Sequence, residues 1–143
     1  MNIKLKSAAA NGQEQQVQVN ITERLPGNVE GPCVVECGYK VRREDNYYLL
    51  TLAINAQLTI ICQRCLNRFP CHYSNNTVLA ICDTDELAVR LMNQYDCITA
   101  HDDEVDLIEL LTDELYLYTP ANHPDLKDCD TDVSAFIITN QTC

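Results

Sequence analysis

From Leu50 to Ile60 the chain alternates with a period of two. Leu50, Leu52, Ile54, Ala56, Leu58 and Ile60 hold the even positions, while Thr51, Asn55, Gln57 and Thr59 hold odd ones. A helix would scatter residues two apart around its axis, whereas a strand places them all on one face. The segment therefore predicts a strand with one dry side and one wet side. Its phase continues to Cys62, where Gln63-Arg64 breaks the pattern.

Neighbouring segments can cover that dry side. Val17, Val19 and Ile21 alternate with Gln18, Asn20 and Thr22, and Leu25-Pro26-Gly27-Asn28 is a turn signal. Cys33, Val35, Cys37, Tyr39 and Val41 share a face opposite Glu36, Lys40 and Arg42, with Val34 the apolar exception. Arg43-Glu44-Asp45-Asn46 reads as a polar hairpin. Phe69, Cys71, Tyr73, Leu79 and Ile81 stay in phase across Ser74-Asn75-Asn76. The period then changes. Asp83-Thr84-Asp85-Glu86 starts a short helix carrying Leu87, Val89, Arg90 and Leu91. Val105, Ile108, Leu111, Leu115 and Tyr118 recur at helical spacing behind Asp102-Asp103-Glu104, and Thr119-Pro120 ends the run. Strands first and helices later predict an α+β fold: an antiparallel sheet or partly open barrel from the first half, two helices from the second. At 143 residues the chain reads as one domain, strand-rich over 1–82, helical over 83–118, with a loop and tail over 119–143 that holds the apolar run Ala135-Phe136-Ile137-Ile138.

No apolar run approaches the roughly 20 residues of a membrane span, and Met1-Asn2-Ile3-Lys4-Leu5-Lys6-Ser7 lacks the apolar stretch of a signal peptide. Without an export signal, the nine cysteines read as thiols of a reducing compartment, and a cytoplasmic protein is expected. A net charge of −11 argues against coating of a phosphate backbone, which runs on Lys and Arg. Basic residues group only at Lys40, Arg42, Arg43 and at Arg64, Arg68. That balance leaves room for a small local contact or for a basic protein partner, and acidity alone also keeps a protein soluble.

Cys62-Gln63-Arg64-Cys65 is the motif with the most chemistry in it. Two thiols separated by two residues at a turn can face one tetrahedral metal ion, but a single such pair is half of a zinc site. His123 and Cys129, in one loop, can supply the other half. Cys71 and His72 cannot easily do so, because adjacent strand residues point to opposite faces. A redox dithiol would want its first cysteine at a helix N-terminus, and Pro70 stops any helix within a turn of Cys65. The plainest reading makes Cys62 a core residue and Cys65 a turn thiol without metal.

Other groups have simpler explanations. Asp102, Asp103, Glu104, Asp106 and Glu109 suit the start of a helix without any cation or acid–base role. Tyr47, Tyr48, Tyr116 and Tyr118 flank apolar positions and pack core edges more readily than they stack on bases. Cys33, Cys37, Cys82 and Cys97 sit as apolar-face residues, and no role is assigned to Cys143. His72, His101 and His123 have no catalytic partner nearby in sequence, and only four glycines are present, with no phosphate-cradling loop among them.

The stretch Leu58-Thr59-Ile60-Ile61-Cys62-Gln63-Arg64-Cys65-Leu66-Asn67-Arg68-Phe69 resembles the signature of the YceD family, the bacterial large ribosomal RNA subunit accumulation proteins and their plastid relatives. An acidic, Leu-rich second block from Asp102 to Leu115 follows, then Pro120 and a loop from His123 to Cys129, so the likeness runs from about Val29 to Cys129. The resemblance implies a non-enzymatic, cytoplasmic factor needed for processing or accumulation of large-subunit (23S) ribosomal RNA. On that expectation Arg64 and Arg68 contact ribosomal RNA or a basic ribosomal protein of a pre-ribosomal particle, with no membrane and no small-molecule substrate. One structural zinc ion at Cys62, Cys65, His123 and Cys129 is the cofactor to look for. The alternatives are a thiol oxidoreductase using Cys62 and Cys65, or a zinc-binding interaction module of another kind.

Overall fold

A computed structural model describes residues 1–124 and 129. The fold is α+β. In chain order it runs β1 (Asn2–Lys4), α1 (Leu5–Asn11), β2 (Gln15–Ile21), β3 (Cys33–Arg43), β4 (Tyr47–Ile61), β5 (Arg68–Cys82), α2 (Asp85–Leu91), β6 (Asp96–Thr99), β7 (Glu104–Asp106) and α3 (Leu107–Tyr118). An open five-stranded sheet has the order β2-β3-β4-β5-β6, and β1 pairs with β7 in a second, two-stranded sheet. The larger sheet is mixed rather than wholly antiparallel, because β6 runs parallel to β5 with Ala80 opposite Cys97. The alternation in β4 is realised as expected: Leu50, Leu52, Ile54, Ala56, Leu58 and Ile60 are each at most 3% exposed.

Two compact units make up the described chain. The first comprises Met1–Val17, Cys37–Ala53 and Asn75–Leu107. Here β1 and β7 pair antiparallel, with Ile3 opposite Val105 and both side chains buried. The helix α1 was not expected from the alternation pattern. Its Ala8-Ala9-Ala10 run favours helix, and Gly12 ends it in the left-handed region at φ 67°, its N–H donating to the Ala8 carbonyl at 3.2 Å. Thr84 caps α2 by accepting from the Leu87 N–H at 3.3 Å. The structure corrects the helix expected from Val105 onward. Val105 is a strand residue of β7, and the helix begins at Leu107. Asp102 and Asp103 hold positive φ (62° and 56°) in the turn before β7, Glu104 and Asp106 lie in that strand, and only Glu109 falls in the first turn of α3.

The second unit comprises Gln18–Glu36, Ile54–Ser74 and what is described of Ile108–Cys143. Leu111 and Leu115 of α3 are buried, as the helical spacing requires, whereas Tyr118 is 51% exposed. A buried polar contact joins α3 to β5, the Tyr73 hydroxyl donating to the Glu114 carboxylate at 3.1 Å. The turn before β3 is tied to the end of β4: the Glu30 N–H donates to Thr59 O at 2.9 Å, and the Ile61 N–H to Asn28 O at 2.7 Å. The far end of β4 is thereby held by the Asn28–Glu30 segment just before the chain leaves the strand at Cys62. The apolar run at 135–138 lies outside the described residues.

Candidate metal centre

Cys62 keeps the inward phase of β4 and is 0% exposed. The four residues that follow form a tight knuckle. The Leu66 N–H donates to Cys62 O at 2.7 Å, and the Cys62 N–H donates to Asn67 O at 3.0 Å. Leu66, at φ 64°, makes the left-handed step that turns the chain into β5. A turn closed in this way brings Cys65 back beside Cys62, which an extended strand could not do.

The loop after α3 is fastened to this knuckle along its backbone. The Gln63 N–H donates to Ala121 O at 3.0 Å, and Asn28 donates its side-chain N–H to Pro120 O at 2.9 Å. Arg64 extends Nη2 to His123 O at 2.7 Å. His123, 4% exposed, lays its ring against Phe69 with centroids 4.3 Å apart. Those contacts fix the imidazole with Nδ1 toward the sulfurs.

The outcome is one cluster. The ligand atoms of Cys62, Cys65, His123 and Cys129 all lie within 4.8 Å of one another. Cys62 Sγ is 3.7 Å from Cys129 Sγ, and His123 Nδ1 is 3.5 Å from the sulfurs of both Cys65 and Cys129. With Zn–S near 2.3 Å and Zn–N near 2.05 Å, a tetrahedron has edges of about 3.8 Å between sulfurs and about 3.6 Å between sulfur and nitrogen. The donor set and the three separations just given match those of a tetrahedral zinc site.

The electrostatics show which proton leaves first. Burial alone would raise the Cys62 thiol. The backbone N–H groups of Cys65, His123 and Arg64, together with the His123 ring, outweigh it and bring the pKa down from 9.0 to about 5. Burial pushes Cys129 up to about 11, and the neighbouring sulfurs of Cys62 and Cys65 push the same way. Three thiols this close cannot ionise together without a cation, and a divalent metal supplies that charge.

The remaining expected positions do not converge. Cys71 is buried and His72 half-buried on adjacent positions of β5, so they face opposite ways. Among the described residues, the only convergent set of three or more such ligands is the Cys62 cluster, so the acids from Asp102 to Glu109 do not form one. Asp106 instead meets the amino terminus at 3.6 Å. Arg68 is paired with Glu30 at 2.8 Å. Cys33, Cys37 and Cys82 are buried, as expected of apolar-face residues, and Cys97 is partly so. Sequence reasoning missed two supports of the site. Phe69 was read only as an inward strand residue, and Asn122, whose Oδ1 accepts from the Cys62 thiol at 3.8 Å, carried no signal at all. No protein-family model, curated protein or solved structure matches this chain. No helix among the described residues is long and apolar enough to cross a membrane.

Proposed function

We propose that the chain is a non-catalytic accessory factor of large-subunit ribosomal RNA accumulation, held in its working shape by one zinc ion. The observation that carries the metal half of this reading is the convergence of Cys62, Cys65, His123 and Cys129 within 4.8 Å. The ribosomal half rests on the likeness of the Cys-Gln-Arg-Cys-Leu knuckle and the later acidic block to the YceD family.

Zinc here has a structural role: a tetrahedral set of four protein ligands leaves no open position for substrate. It clips the loop after α3 to the end of β4, two segments far apart in the chain. The clip fixes a surface on which Arg68, exposed at its guanidinium beside Glu30, and the exposed Leu66 face outward. A net charge of −11 suits a basic protein partner and a small contact with RNA rather than extended coating. An oxidoreductase would need its reactive sulfur within reach of a substrate disulfide, and full burial of Cys62 weighs against that.

Deleting the gene in its source cell and separating ribosomal particles tests the reading. Depleted large subunits, restored by the wild-type gene and not by Cys62→Ser, are expected. A normal particle profile would discard the ribosomal assignment.

A further inference from the structure

The Cys-Gln-Arg-Cys knuckle places a cation between its two thiols, and the structure shows where that cation goes. The Arg64 side chain turns toward the loop that carries His123 and donates from Nη2 to His123 O at 2.7 Å. The His123 N–H in turn donates to Cys62 Sγ at 3.5 Å, so the loop that Arg64 holds reaches the first thiol of the knuckle. Three thiolates and a neutral imidazole around a divalent ion leave one surplus negative charge. A half-buried anion of that kind needs a partner. Arg68, the other arginine of this turn, is directed to Glu30 instead.

We infer that Arg64 is a positioning residue of the metal centre, whose guanidinium neutralises the anionic tris-thiolate site and holds the His123 loop against it. This inference rests on the zinc half of the reading above. It gives the motif's arginine an internal role that precedes any contact with an outside partner. A lysine would keep the charge but not the planar fork that donates to the His123 carbonyl in a fixed direction.

The test uses the full chain loaded with zinc, titrated with a chromophoric chelator across a range of pH. Wild type, Arg64→Gln, Arg64→Lys and, as control, Arg68→Gln are compared. Removing a residue that supports a ligand set typically weakens metal affinity by about 10–100-fold. Arg64→Gln is expected to lose that much and to release zinc at a higher pH than wild type. Arg64→Lys should fall between them, and Arg68→Gln should match wild type. Losses under about twofold for either Arg64 variant would overturn the inference, as would equal losses for Gln and Lys with an unshifted pH of release, which a merely structural role would give. Should Arg64→Gln not fold, the Lys variant against wild type decides by the same limits. A wild type that binds no zinc overturns the site reading itself, whereas zinc-binding wild type beside an unchanged Arg64→Gln overturns this inference alone.

Discussion

Cys37 and Cys62 occupy equivalent situations in their strands. Each lies at an inward-facing position in phase with apolar neighbours, and they are 1% and 0% exposed. Their chemistry is opposite. Cys37 sits in a ladder whose N–H groups are committed elsewhere; its thiol donates to Gly38 O at 3.6 Å, and burial, reinforced by the charge of Glu14, raises its pKa to about 11. Cys62 ends its strand, so the turn beyond it and the loop after α3 aim N–H groups and an imidazole at its sulfur, and its pKa falls to about 5. Burial is common to both, so burial does not make a ligand. Donors do, and Cys62 meets them because its strand stops there.

That contrast can be broken most directly by the same substitution at both places. Cys62→Ser should bind no zinc. Stripping zinc from the wild type should cost about 4 kcal/mol at a thousandfold excess of metal over Kd. That amounts to about 12 °C in Tm at about 3 °C per kcal/mol for a chain of this size. Cys37→Ser should keep its zinc and lose about 1–2 kcal/mol, the cost of burying a hydroxyl where a thiol packed, or about 3–6 °C. Calorimetry with and without a chelator separates the two. Equal losses at both positions, neither sensitive to chelator, would erase the distinction.

The pH dependence of the metal-free protein sharpens the contrast. Cys62 has a folded pKa below its ordinary 9.0, so its contribution to stability is fully present above pH 9 and is lost as pH falls toward about 5. Cys37 runs the other way: its raised pKa costs nothing below pH 9 and destabilises the fold as pH rises from 9 toward about 11. Ultraviolet titration of thiolate absorbance, with each cysteine replaced in turn, should show an early thiolate that disappears in Cys62→Ser and persists in Cys37→Ser. A smaller effect is expected at Phe69. Replacing it with Leu removes the ring against His123, a contact worth about 1 kcal/mol, and should weaken zinc binding about fivefold with the ion still bound.

Much of the fold was legible because β3, β4 and β5 carry period-two patterns over long runs, and Thr84 advertises the cap of α2. What escaped has a common cause. The strand β6 spans Asp96–Thr99 and β7 spans Glu104–Asp106, too short to show any periodicity, and β7 borrows its apolar Val105 from what looks like the helix after it. The helix α1 is seven residues long, and its polyalanine run has no alternating face to read. At the metal centre the thiols and imidazole announced themselves by residue type. Their convergence depends on backbone ties such as Gln63 N–H to Ala121 O and on the left-handed Leu66, neither of which is written in side-chain identity. Arg64 shows the same limit. Its charge suggested an outward contact, and only the placement of His123 O reveals where one of its donors is directed.

The central claim is that these four side chains hold one metal ion. Metal analysis of protein purified without chelator, followed by replacement of zinc with cobalt(II), tests it in one preparation. The expected result is about one zinc per chain and a cobalt spectrum of a tetrahedral site with sulfur-to-cobalt charge transfer, lost in Cys62→Ser and unchanged in Cys37→Ser. Less than about half an equivalent of zinc, or a cobalt spectrum without sulfur ligation, would contradict it.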